Sequence, residues 1–193
     1  SGGYYDLAGF SVGIVEREKI IDGKTVEPDD IILGLSSSGF HSNGFSLIRK
    51  ISKPDRSSST IPSAADLLRP TKIYVKSVLT ALKTHEIRAI AHITGGGITN
   101  NVPRVLPTHL CASIQLDSWP LPEIFRWIAD AGPVEELEML KTFNCGIGMV
   151  LIVHPKSADE ISSTLHDLGE EVHVIGKITK ETAPILYSGT LKP

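Results

Sequence analysis

Short, nearly unbroken apolar runs alternate along this chain with stretches where apolar residues return every three or four positions. Residues 31–35 (IILGL) and 147–153 (IGMVLIV) are runs of the first kind and predict buried strands. Residues 11–15 (SVGIV), 88–94, 172–178 and 185–187 predict further strands, and residues 19–26, turning at Asp22-Gly23, a small hairpin. Val75, Val78, Leu79 and Leu82 follow i, i+3, i+4, i+7 spacing, the mark of an amphipathic helix. Ile124, Phe125, Ile128 and Ala131 outline a second helix face, closed by Gly132, and Pro133 suits the first turn of a following helix carrying Val134, Leu137 and Leu140. Ser157-Ala158-Asp159-Glu160 reads as a capping box opening a helix that turns Ala158, Ile161, Leu165 and Leu168 inward and ends at Gly169. Shorter helices are expected over 45–50 and 100–106, and the polar stretch 53–62 (KPDRSSSTIP) as a surface excursion. Helices and strands interleave without an internal repeat, so the expectation is one α+β domain over residues 1–193, with helices packed on a mixed sheet.

Composition narrows the partners. Hydrophobic residues are 41% and charged residues 21%, with a formal net charge of −3, so nothing in the overall charge advertises nucleic acid or an anionic membrane surface. An anion bound here must be held locally, by backbone amides and a few side chains. The two cysteines, Cys111 and Cys145, are far apart and in no metal-ligand spacing, which argues against a disulfide scaffold or a structural zinc site and suits a reducing compartment. Residues 1–5 (SGGYY) carry neither a basic nor an apolar leader pattern, and the longest apolar run is too short to span a bilayer. The expectation is a cytoplasmic location.

Two glycine-rich corners stand out. Gly34-Leu35-Ser36-Ser37-Ser38-Gly39-Phe40-His41-Ser42-Asn43-Gly44 lies between an apolar strand and a short helix. Small residues let a backbone approach a ligand closely, and amides at a helix start favour a phosphate. Ser37, Ser38 and Ser42 add hydroxyl donors, and Arg49 follows as a counter-charge. A serine-rich turn that only caps the helix explains the same residues equally well. The second corner is Thr94-Gly95-Gly96-Gly97, with Asn101 and Arg104 on the helix beyond it. Three glycines straight after a strand are costly in backbone entropy, so close approach to a ligand or another subunit is the better explanation, against tight strand–helix packing.

The familiar nucleotide and metalloprotease motifs are missing: there is no GxxxxGK[ST], Gly146-Ile147-Gly148 is not followed by a third glycine, and His85-Glu86 has no second histidine. His41 is a proton donor or phosphate ligand if it titrates near neutrality, or a loop-ordering residue if it bonds the backbone; the second role, or binding, is preferred to chemistry. His92 falls in a strand pattern suited to a core histidine, and Cys145 reads as packing rather than as a nucleophile.

Five blocks in order then carry a resemblance: residues 5–10 (YDLAGF), 37–49 (SSGFHSNGFSLIR), 92–97 (HITGGG), 101–107 (NVPRVLP) and 143–149 (FNCGIGM). They span nearly the whole chain and resemble aminoimidazole ribonucleotide (AIR) synthetase, the phosphoribosylformylglycinamidine cyclo-ligase family of purine biosynthesis, in its C-terminal domain. The resemblance implies a layered α/β/α sandwich. It also implies ATP-dependent ring closure of formylglycinamidine ribonucleotide with Mg²⁺ assisting, ATP and metal belonging to the full-length enzyme and neither held firmly by this domain alone. By analogy Ser37, Ser38, Gly39, His41, Ser42, Asn43 and Gly44 would hold the substrate phosphate, with His41 the candidate for catalysis, while Thr94, Gly95, Gly96, Gly97, Asn101 and Arg104 would line the cleft. The family's N-terminal ATP-binding and dimerisation domain would complete the site and make a homodimer, so this domain by itself is expected to be inactive. Other members of the superfamily remain the alternative (formylglycinamidine ribonucleotide synthetase, selenophosphate synthetase or thiamine-phosphate kinase), as does a non-catalytic phosphate-binding module.

Overall fold

The computed structural model describes residues 8–52 and 61–191. Most of the expected polar excursion at 53–62, and the start of the first family block at residues 5–7, lie outside the described residues. Among the described residues six strands form one sheet: β1 (Ile31–Ser36), β2 (Ala89–His92), β3 (Cys111–Gln115), β4 (Ile147–Val153), β5 (Val172–Thr179) and β6 (Ile185–Ser188), in the order β2-β4-β1-β5-β3-β6. Every neighbouring pair is antiparallel except β3 and β6, so the sheet is mixed. The adjacent interior strands β1 and β4 are the two unbroken apolar runs, whose side chains are covered on both faces.

Alternation along β1 divides the core in two. Leu33 and Leu35, with Leu151 and Val153 of β4, pack against α3 (Val75–Thr84) and α7 (Ala158–Asp167) through Val78, Ala81, Ile161 and Leu165. Ile32, Val150 and Ile152 face the other way, toward α1 (Phe45–Ile51), α4 (Gly97–Asn101), α5 (Glu123–Ala131) and α6 (Glu136–Thr142). Phe40, Phe125 and Phe143 stack edge-on or tilted in this larger core, with centroids 5.1–6.0 Å apart. Each such fully buried side chain contributes about 1.5–3 kcal/mol relative to exposure. The result is the expected layered α/β/α sandwich with a mixed sheet. A short helix, α2 (Ala64–Leu67), capped by the Ser63 side chain, packs Leu67 against the edge of the larger core.

Several local expectations are corrected. Residues 11–15 form no strand and 19–26 no hairpin: Phe10, Val12 and Ile14 are exposed, and the alternating segment pairs with no ladder among the described residues. In α3 the buried positions are Ser77, Val78 and Ala81, while Val75 and Leu79 point outward, so the buried stripe is rotated toward the smaller residues. The helix expected over 100–106 begins earlier, at Gly97, and gives way to a 3-10 turn over Pro103–Val105. Pro133 precedes α6 rather than opening it, and Leu137 is exposed. Ser157 caps nothing, because it sits in right-handed helical conformation at the end of a 3-10 turn over Pro155–Ser157 that is itself capped by His154. Leu168 falls just past α7, and Gly169, with φ +85°, makes the expected stop.

Candidate ligand-binding site

The topology brings the two glycine corners together. β1 and β2 both run antiparallel to β4, so they point the same way, and their C-terminal ends flank the start of β4. The serine-rich loop leaves β1 on one side, the triple-glycine corner leaves β2 on the other, and Phe143-Asn144-Cys145-Gly146 enters β4 between them. A β-carbon on Gly95 would sit 3.4 Å from Asn43 Oδ1, so the corners lie within a methyl group's reach of each other.

Asn144 is the tie within this junction, and it was not among the expected site residues. Its buried amide donates from Nδ2 to the Gly39 carbonyl at 2.8 Å, while Oδ1 accepts from Gly146 N–H at 2.8 Å and from the Ser37 hydroxyl at 2.9 Å. Ser37 N–H donates to the Gly146 carbonyl at 2.8 Å. The Ser38 hydroxyl donates to the Pro70 carbonyl at 2.7 Å. Two of the three candidate phosphate hydroxyls thus shape the loop, and the exposed Ser42, 3.4 Å from Thr71 Oγ1, is the one on the surface.

His41 is buried and left-handed, with φ +57°. Its Nε2 accepts from Ser38 N–H at 3.3 Å and Lys72 N–H at 3.5 Å, which assigns the ring proton to Nδ1. Burial, helped by the nearby charges of His92 and Lys72, pushes its pKa from 6.5 to about 4. In this setting the imidazole does not titrate near neutrality, and it orders the loop. The β4 backbone presses on it: a side chain on Gly148 would run into His41 Cε1 and the Tyr74 hydroxyl. His92, expected in the core, is exposed at the end of β2, its ring 6.4 Å from that of His41.

The triple-glycine corner divides its work. Gly96 (φ +96°) and Gly97 (φ +58°) need the left-handed region, and a β-carbon on Gly97 would strike the carbonyls of Leu140 and Phe143 at the end of α6. At Gly97 the close approach is therefore to protein, while Gly95 is exposed beside Asn43. Asn101 is buried and donates to the carbonyls of Gly95 (3.2 Å) and Gly97 (2.8 Å); its Oδ1 accepts from Thr94 Oγ1 at 3.3 Å and from Arg104 at 3.4 Å. Asn101 and Thr94 order the corner, and Arg104 stays exposed.

Two concavities open on the serine-rich loop. One, of about 290 Å³, is lined by His41, Ser42, Phe45, Arg69, Pro70 and Thr71. The other, of about 990 Å³, runs from Ser37–Gly39 past Arg69 to Arg126 and Trp127 on α5. Arg69 borders both, 3.1 Å from Asp66 on its exposed side. Nothing in the spacing of Leu68-Arg69-Pro70-Thr71 singles it out in the sequence.

A mixed sheet between two helical layers, with two glycine corners gathered at one end of β1, β4 and β2, defines a layered α/β/α domain with a loop-built edge. The chain belongs to the AIR synthase related protein family, C-terminal domain, whose model matches residues 27–188. A phosphoribosylformylglycinamidine cyclo-ligase from Bordetella pertussis is 48% identical over 186 residues, covering 93% of this chain and 53% of that protein. One from Desulfitobacterium hafniense is 46% identical over 190 residues, covering 96% of this chain and 56% of that protein. The chain thus spans about half the length of the curated relatives it matches. Among solved structures, thiamine-monophosphate kinase from Stenotrophomonas maltophilia aligns over 92% of this chain and 55% of its own with a TM-score of 0.61 at 16% identity. The T. maritima PurL complexed with AMPPCP aligns over 90% of this chain and 25% of its own, with a TM-score of 0.54 at 17% identity. At these identities the likeness is one of fold. Among the described residues no helix is long and apolar enough to cross a membrane.

Proposed function

We propose that this chain is the substrate-phosphate half of an ATP-dependent cyclo-ligase that converts formylglycinamidine ribonucleotide to aminoimidazole ribonucleotide. The observation that carries the reading is the serine-rich loop, tied to the start of β4 by Asn144 and opening at Ser42 and Thr71 on a concavity bordered by Arg69. Identity of 46–50% to named cyclo-ligases over nearly the whole chain supports it.

The chemistry asks for positioning more than for covalent help. ATP supplies a phosphoryl group to the formyl oxygen, a substrate nitrogen attacks that carbon, and phosphate leaves with the oxygen. In this reading the chain's own part is to hold the ribose 5-phosphate in the opening between Ser42, Thr71 and Arg69, using their side chains and the amides of the turn. Arg69 gives up its contact with Asp66 to a dianion, which binds a guanidinium more strongly than one exposed carboxylate does. His41, neutral and buried, keeps the turn in its left-handed shape.

Among the described residues no group of three or more His, Cys, Asp or Glu side chains could hold a metal ion. In this reading no step of this chain runs through Mg²⁺, and ATP and the ion are held by the part of the full-length enzyme that the family resemblance adds. That part would also close the cleft and make a cytoplasmic homodimer, and the chain by itself would not cyclise. The test is Arg69→Ala in the full-length protein. The KM for the ribonucleotide should rise about tenfold, the worth of one charge-assisted contact, with the KM for ATP unchanged. An unaltered ribonucleotide KM would sink the phosphate assignment.

A further inference from the structure

A second cluster of charge lies behind His41, away from the ligand edge. Glu170 follows α7 in the turn made by Gly169, and its side chain is only 6% exposed. Ser77 of α3 donates to its Oε1 at 2.6 Å, and Lys72 Nζ stands 2.8 Å from its Oε2. The same ammonium lies 5.5 Å from the centre of the Tyr74 ring. An ion pair whose carboxylate is buried adds little net stability, because desolvation of that charge cancels most of the attraction; what it does is enforce one geometry.

That geometry is the path of residues 70–74. This segment crosses the serine-rich loop and meets it at four points. Pro70 accepts from the Ser38 hydroxyl at 2.7 Å, Thr71 Oγ1 lies 3.4 Å from Ser42 Oγ, Lys72 N–H donates to His41 Nε2 at 3.5 Å, and the Tyr74 hydroxyl donates to the Ser36 carbonyl at 2.9 Å. His41 needs such support, since a left-handed backbone costs a non-glycine residue about 1 kcal/mol or more and its buried Nδ1 has no hydrogen-bond partner among the described residues.

We infer that Glu170 is a positioning residue for the ligand loop. By gripping Lys72 it holds the 70–74 strap against Ser36–Ser42 and so fixes His41 in its left-handed pose with Nε2 as acceptor. Glu170 touches no ligand, and it reaches the loop from a turn that the sequence separates from it by more than a hundred residues. The consequence for substrate binding rests on the function proposed above; the positioning itself does not.

The test uses the full-length protein labelled with ¹⁵N-histidine, comparing wild type, Glu170→Gln and the double variant Lys72→Met/Glu170→Gln. The double variant leaves no unpaired buried charge, so it covers the case in which the single one does not fold. In the wild type the His41 ring nitrogens should show one tautomer, protonated at Nδ1, from pH 5 to 8. In the variants the two nitrogen signals should move toward each other as the tautomers mix, and Glu170→Asp should recover part of the separation. A folded variant with wild-type His41 signals overturns the inference. The ribonucleotide KM should rise about tenfold in the same variants with the ATP KM unchanged. Altered His41 signals with an unaltered ribonucleotide KM would uphold the positioning role and sink the phosphate-site reading instead.

Discussion

The ring of Phe143 occupies the space that a side chain on Gly44 would need. Cε1, Cδ1 and Cζ of the ring all crowd the position of a β-carbon there, and Gly44 itself is left-handed with φ +79°. The residue that follows α6 thereby sets the turn from which α1 starts.

Gly44→Ala should therefore cost more than backbone strain alone, about 2–4 kcal/mol, as the ring is displaced within a packed core. Gly169→Ala is the control: φ is +85° but nothing lies within 4 Å of its β-carbon, so only the left-handed penalty of about 1 kcal/mol applies. Urea unfolding of both variants gives the difference, and equal losses would contradict the packing account.

Asn144→Ala removes one donor and one acceptor that satisfy the Gly39 carbonyl and the Gly146 amide inside the protein. A loss of about 2–3 kcal/mol is expected from the unpaired groups. Asn144→Asp should do no better, because its second oxygen would face the Gly39 carbonyl. A loss below 0.5 kcal/mol, the range of an ordinary surface substitution, would mean the loop is held by other contacts.

His41 makes stability sensitive to acid. Its folded pKa of about 4 lies below the unfolded value of 6.5, so above pH 6.5 the group is neutral in both states and contributes no dependence. As pH falls from 6.5 toward 4 the unfolded chain takes up a proton that the folded one refuses, and stability drops, on the order of 2 kcal/mol by pH 4.5. His41→Asn tolerates a left-handed backbone and keeps an acceptor. It should flatten this part of the pH profile, measured as the urea midpoint at pH 7 and pH 4.5; an unchanged slope would exclude His41 as its source.

Cys145 is fully buried, and burial pushes its thiol well above the ordinary value, with the charge of Glu136 adding to the shift. At pH 8 iodoacetamide should leave it unmodified in the folded protein and alkylate it in denaturant, as read by peptide mass spectrometry. Rapid labelling of the native protein would contradict the burial.

The sequence by itself determined the parts whose signal is local. Residues 31–35 and 147–153 are short, apolar without interruption and rich in β-branched side chains, which suits a strand covered on both faces. Gly132 and Gly169 stop helices where they stand, and the five ordered blocks sufficed to name the family. Tertiary structure decided what the side chains of the chemically suggestive residues bond to. Asn101, Ser37 and Ser38 have the side chains of binding residues, yet their hydrogen bonds go to neighbouring turns, because a tight glycine corner leaves carbonyls that something must satisfy. Arg69 and Glu170 carry no local mark at all. Their places follow from β1 and β2 both pairing with β4, which gathers three distant segments at one end of the sheet and brings a fourth, residues 70–74, across them. Periodicity reports which face of an element is buried; what that face meets depends on pairings between residues far apart in the chain.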